Sequence, residues 1–234
     1  MHKITGLSKY ICFILSGLSF LTVSSCRTIV PQDYIVYDEH PLSIPALTPR
    51  ADLDNMLRKI TYGGKKLDND ILPVRLTTRY VIPESTNSEG YVKDERINDI
   101  LKVFSYDINN NINNTDSLKK GIISLTIKEY SEFRNRTIGF VTFWGVGIPN
   151  FLGLPFGTVK SDIKTRIEIT DNNRNVVKTY EAKGHGRSWI GLYWSYGRDA
   201  NRKAAIKAFK SSMEDFKLQL SGDSLLLNSS LTGK

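Results

Sequence analysis

The stretch IKTRIEITDNNRNVVKTYEA, residues 163–182, decides the fold. Ile163, Thr165, Ile167 and Ile169 recur at every second position, and the residues between them are charged. A strand points successive side chains to opposite faces, so this period builds one apolar face and one wet face. Asp171 to Asn175 is a run of turn formers, and Val177 to Ala182 brings the chain back as a second strand. The apolar face of such a hairpin has to be buried against something else.

The rest of the chain supplies the cover. A helix beginning near Asp94 carries Ile97, Ile100, Leu101, Phe104, Ile108 and Ile112 along one stripe, and the Asn109 to Asn114 segment frays it. A closing helix takes Asp199 as N-cap and keeps Ile206, Phe209, Met213, Phe216 and Leu220 on one side, with Ala205 and Ala208 beside them. A further helix is predicted after Thr48 and Pro49, with Leu53, Met56, Leu57 and Ile60 at helical spacing and Gly63-Gly64 as its stop. Further strands are expected over Leu72 to Ile82, Ile122 to Tyr130 and Thr137 to Trp144. In the second of these Ile123, Leu125 and Ile127 face inward. The expected fold is α/β (α+β): a mixed β-sheet with two to three amphipathic helices packed on it, forming a single domain over residues 50–220. Residues 221–234 read as a loose tail. There is no internal repeat of fixed period.

The N-terminus reads as an address. Lys3 and Lys9 precede an apolar run from Tyr10 to Val23, and residues 1–25 contain no acid. The run ends in Val23-Ser24-Ser25-Cys26. An aliphatic residue, two small residues and a cysteine resemble the lipobox of bacterial lipoproteins. That resemblance implies a signal peptide over 1–25, lipid on Cys26 that includes palmitate, and a membrane-held mature chain. Two or more acyl chains anchor stably where one does not. Arg27 follows the cysteine, where Asp commonly marks inner-membrane retention in that family, so the resemblance points to the outer membrane facing the periplasm. Cys12 leaves with the signal, which excludes an intramolecular disulfide and a Cys-based metal cluster in the mature chain. Residues 26–49 carry Pro31, Pro41, Pro45 and Pro49 and read as a stiff tether, with Tyr34 to Tyr37 as a short added strand.

Formal charge is +8, and removal of Lys3 and Lys9 leaves +6. The basic excess is scattered among acids, which describes a solvated surface or attraction to anionic headgroups near the anchor. No nucleic-acid-binding motif appears, and none is expected behind an export signal.

From Ile138 to Val159 no residue is charged. The run is long enough to span a bilayer, but Gly139, Gly145, Gly147, Gly153, Gly157, Pro149 and Pro155 argue against a helix. A glycine- and proline-rich apolar loop is expected instead. It either packs on its own domain or contacts a partner, a second copy or the membrane through Trp144, Ile148, Phe151, Leu152 and Phe156.

Catalytic signals are sparse. There is no HExxH, GxSxG or Walker loop. His40 and His185 are too far apart in the chain to suggest a metal pair, so no metal and no cofactor are expected. Gly184-His185-Gly186-Arg187 reads as a loop that could present an imidazole, with Asp162, Asp199 or Glu181 to orient it. Glu129, Glu132 and Glu168 lie in or near strands, but nothing marks a catalytic pair among them. Trp189, Tyr193, Trp194 and Tyr196 form an aromatic knot. They either fill core under the last helix or, with His185, make a platform for a glycan or peptidoglycan.

The apolar glycine-rich run before the strand Ile163–Ile169, the turn Asp171 to Asn175 and the Ala- and Phe-rich closing helix resemble small periplasmic assembly lipoproteins. These are relatives of the curli-secretion lipoprotein and of the N-terminal domain of the Tol-system β-propeller protein. Their turn is often Asp-x-x-Gly, and no glycine follows Asp171 here. The resemblance covers residues 72–220 and implies helices against a mixed sheet. The functional expectation is a membrane-anchored, non-catalytic envelope lipoprotein. It scaffolds or assists assembly or transport through the apolar loop, with a protein partner or self-association. The alternative is a glycan-binding module or hydrolase using residues 184–196.

Overall fold

The computed structural model describes residues 42, 44–52, 57–62, 65–68, 80–81, 95–113, 118–135, 154–191 and 197–232. In chain order these form β1 (Leu47–Asp52), β2 (Leu57–Tyr62), β3 (Lys65–Asp68), β4 (Tyr80–Val81), α1 (Glu95–Asp107), β5 (Gly121–Asn135), β6 (Gly157–Asp171), β7 (Val176–Ile190), α2 (Gly197–Gly222) and α3 (Ser224–Thr232). The fold is α+β: a mixed seven-stranded sheet with its helices packed on one face.

Strand β5 is the spine. One edge pairs antiparallel with β6, which pairs antiparallel with β7. Along its other edge lie two parallel strands laid end to end: β1, with Leu47 opposite Gly121, and then β2, with Leu57 opposite Glu129. The segment read as a first helix after Thr48 is therefore strand in its described parts. Within β1, Leu47, Pro49 and Ala51 are buried and alternate with half-exposed Thr48, Arg50 and Asp52. Pairing with β5 satisfies the backbone that a helix would have satisfied internally. A local preference for helix is weak enough to yield to such a partner. The stretch read as tether contributes to the core as well, since Ile44 and Leu47 are fully enclosed.

Register slips between Ile127 and Glu129 on β5. A bulge of this kind inverts which residues face inward. Before it Ile123, Leu125 and Ile127 are buried, and after it Tyr130 and Glu132 take their place. The expected strand ending at Tyr130 continues to Asn135. Glu132 enters the interior with partners: Arg96 at 2.6 Å, Arg134 at 2.7 Å and the Tyr130 hydroxyl, which donates across 3.2 Å. Such company offsets the cost of taking a carboxyl group out of water.

α1 begins where the stripe predicted. Its continuation is an ordered π-turn, Ile108–Ile112, with Ile108, Asn111 and Ile112 buried. From Asn109 to Asn113 the fraying expected of the asparagines is absent, because their side chains are engaged. The Asn113 side chain accepts from Leu47 N–H at 2.8 Å and donates to Leu47 C=O at 2.9 Å, closing the start of β1.

α2 covers β6 and β7 with Ile206, Phe209, Met213, Phe216 and Leu220, all buried. Phe209 meets Phe104 of α1 edge-on at 6.4 Å, and Phe216 meets Tyr180 at 5.3 Å. α1 and α2 run side by side, linked by Glu95–Arg198, Asp99–Arg202 and Asp107–Lys217. The segment read as a loose tail is α3, which buries Leu227 and Leu231 in the same core. The strands expected over Leu72–Ile82 and Thr137–Trp144 lie largely outside the described residues. Tyr80 and Val81 form β4 against Ala51 and Arg50.

Candidate functional site

The helices cover one face of the sheet, and the face that carries the chemistry is the other. Alternate residues of β1, β5 and β6 place two rows of polar side chains on it. Arg50 lies opposite Ser124, and Ser124 opposite Glu168. Asp52 lies opposite Thr126, and Thr126 opposite Arg166. Long charged side chains on the outer strands thus flank short hydroxyl side chains on the central one. That difference in length leaves a cleft of about 310 Å³, closed at one end by Thr170, Arg174 and Val176 near the β6–β7 turn.

Charge alternates across these rows, Arg50 diagonal to Arg166 and Asp52 diagonal to Glu168. Arg166 Nη2 pairs with Glu168 Oε1 at 2.6 Å, and Asp52 is engaged in its own interaction. Neither Arg50 nor Arg174 has an ion-pair partner among the described residues. The Nε atoms of Arg50 and Arg166 are buried and make no hydrogen bond there. Buried donors are normally satisfied, so two such atoms on one face call for an explanation.

The turn that carries Arg174 is tightly built. Asp171 accepts from the Asn175 backbone N–H at 2.8 Å and from its side chain at 3.0 Å. The Asn175 side chain leads in holding the Asp171 carboxyl below its ordinary range. Arg174 stands where glycine commonly closes an Asp-x-x-Gly turn, and its φ is +69°. Left-handed backbone costs a non-glycine residue roughly 1–2 kcal/mol.

The residues singled out by sequence fall differently. Gly184, His185, Gly186, Arg187 and Trp189 belong to strand β7, not to a loop. The two glycines serve packing. A Cβ on Gly184 would lie 1.9 Å from Ala208 O, and one on Gly186 would lie 2.0 Å from Ala204 O. With Ala204, Ala205 and Ala208 they let α2 descend onto the strand. His185 points to the opposite face, three-quarters exposed, with Nδ1 2.6 Å from Asp162 Oδ1. Of the three acids considered as its orienter, Asp162 is the one that meets it. Trp189 is on that same face, with the Arg187 guanidinium 4.3 Å above its ring. Trp189 therefore does not fill core. Tyr193, Trp194 and Tyr196 lie outside the described residues.

Of the apolar run, Trp144, Ile148, Phe151 and Leu152 also lie outside the described residues. Phe156 is half-buried and its N–H donates to Ile190 C=O at 2.6 Å. Leu154 is exposed, and Gly157 to Val159 already belong to β6 rather than to a loop. Glu129 and Glu168 pair with Lys164 and Arg166, so neither makes a carboxylate pair with buried Glu132. Among the described residues no group of three His, Cys, Asp or Glu could hold a metal ion, and no helix is long and apolar enough to cross a membrane. Cys26 lies outside the described residues.

Sequence reading missed Arg50, Ser124, Thr126 and Arg174. The period-two polar positions of β5 were available as a signal, but nothing local pairs them with Arg50.

No family model matches the chain, and neither does any of the curated proteins compared with it. Among solved structures it is similar to a Xanthomonas campestris protein of the family DUF330, at 9% identity and TM-score 0.37, over 85% of this chain and 97% of that one. It is also similar to a putative neuraminyllactose-binding hemagglutinin homolog from Helicobacter pylori, at 9% identity and TM-score 0.39, over 85% and 96%. Similarity of this degree is too slight to carry an argument about activity.

Proposed function

We propose that this chain is a membrane-anchored, non-catalytic lipoprotein of the bacterial cell envelope, held at the outer membrane facing the periplasm. It binds or scaffolds envelope components there, with a protein partner or a second copy. The anchor rests on Val23-Ser24-Ser25-Cys26 behind an acid-free apolar segment. The single observation that carries the binding role is the one-sided sheet. Its other face, which no described helix covers, holds a cleft floored by Ile122, Ser124 and Thr126, beside an exposed strip of Asp162, His185, Arg187 and Trp189. The uncharged run from Ile138 up to the start of β6 is a second contact surface in this reading, with Trp144 and Phe151 as its anchors.

The test is metabolic labelling with radioactive palmitate. The wild-type chain takes up label and fractionates with membranes, and Cys26→Ser does neither. Label retained by Cys26→Ser overturns the anchor.

The Arg187–Trp189 stack favours a second reading, a glycan platform on β7. Flat rings with a polar neighbour suit sugar faces. A Trp189→Ala chain that binds peptidoglycan as wild type does excludes it.

A further inference from the structure

We infer that the cleft between Arg50 and Arg174 is a binding site for a small phosphate-bearing ligand. The inference deepens the reading of the open sheet face as a binding surface and does not depend on the anchor.

Three independent features converge on an anion. Arg50 lines the cleft from β1, exposed Arg174 closes its end from the β6–β7 turn, and neither is neutralised by an ion pair among the described residues. The two lining acids are already committed, Glu168 to Arg166 at 2.6 Å and Asp52 to its own contact. The floor on β5 is Ile122, Ser124 and Thr126, with Thr170 opposite Ile122, and the hydroxyls of Ser124, Thr126 and Thr170 donate to anion oxygens. Arginine's planar fork suits a phosphate, which accepts two parallel N–H bonds. The buried, unpaired Nε of Arg50 is the donor such a ligand would satisfy.

Arg174 is held at φ +69° without being glycine, in a turn fixed around it by the Asp171–Asn175 hydrogen bonds. Glycine would relieve the turn but would remove the second guanidinium. A volume of about 310 Å³ lies at the small end of ligand sites, which suits a small phosphoester such as glycerol phosphate. The phosphate has two possible sources, a soluble phosphoester or the headgroup of the lipid under the anchor.

The experiment is thermal melting of the purified full-length chain in neutral detergent, with glycerol 3-phosphate against sodium chloride at equal ionic strength. At ten times its Kd the ligand raises the wild-type midpoint by about 3 °C or more. Arg50→Gln loses that increment. Arg174→Gly melts higher than wild type in chloride, because strain is relieved, and also loses the increment. To separate the sources, the wild-type chain is reconstituted in phosphatidylcholine vesicles containing rising phosphatidylglycerol. A rise in midpoint that Arg50→Gln lacks assigns the headgroup. No rise there, with the soluble effect intact, assigns the soluble phosphoester. An equal midpoint in glycerol 3-phosphate and chloride, with no rise in phosphatidylglycerol vesicles either, overturns the site. So does an increment that persists in either arginine variant. Loss of palmitate labelling at Cys26 bears on the anchor alone and leaves this site standing.

Discussion

Gly184 lies directly beneath Ala208: a single added Cβ on the glycine would sit 1.9 Å from the alanine carbonyl oxygen. The contact is strand backbone against helix backbone, so neither side can rotate away. Gly184→Ala is expected to force α2 off β7 and to cost about 2–3 kcal/mol or more, as overpacking of a tight core does. Its neighbour His185 faces solvent, and His185→Ala should stay within about 0.5 kcal/mol of wild type, as surface changes do. Urea denaturation of the two variants checks both. Equal stabilities would mean that the helix does not rest on these glycines.

Arg202 holds Asp99 with two bonds of 2.6 and 2.9 Å, and the carboxylate is almost wholly enclosed. The Asp99 hydrogen bond leads in holding the Arg202 guanidinium above its ordinary pKa. Arg202→Leu strands a buried charge and should destabilise by roughly 3 kcal/mol, near the lower end for a broken buried pair. Asp99→Leu with Arg202→Leu removes both charges and should recover part of that loss. A double-mutant cycle with no coupling would place the link between α1 and α2 in the Phe104–Phe209 contact instead.

Asn113 closes the start of β1 with both ends of its amide. Asn113→Asp keeps the acceptor for Leu47 N–H but turns the other end against Leu47 C=O. Asn113→Asp should cost about 1–3 kcal/mol, the range for a buried polar group left unsatisfied. Hydrogen exchange should locate the loss at β1, with the Leu47 amide losing protection first. Uniform protection across the sheet in the variant would contradict this role.

Tyr180 donates to Asp223 at 3.1 Å, and burial first, then that carboxylate, push the phenol above its ordinary value near 10. The sign follows from proton uptake. Above pH 10 the unfolded phenol loses its proton and the folded one keeps it, so the folded state binds more protons and stability falls as pH rises. Below pH 10 the contribution is complete. Tyr180→Phe should flatten the alkaline decline in melting midpoint and leave the slope near neutrality unchanged. An unchanged decline above pH 10 would move its origin to another group.

By itself the sequence determined the features that depend on neighbours in the chain. The period of two from Ile163 to Ile169 specified a one-sided strand, and the stripes over 97–112 and 206–220 specified which helix faces are buried. The same period puts His185, Arg187 and Trp189 on one face once the segment is known to be strand. Tertiary structure alone decided the rest, because each case turns on a partner distant in sequence. Helical spacing after Pro49 lost to parallel pairing with β5, whose hydrogen bonds no local window contains. The glycines at 184 and 186 read as loop because a loop and a close helix approach make the same demand, absence of a Cβ. Residues 221–234 look polar and loose until Leu227 and Leu231 find the core. The cleft is the extreme case. Arg50, Ser124, Glu168 and Arg174 come from three strands and a turn, and only the sheet register along β5 brings them to one cleft.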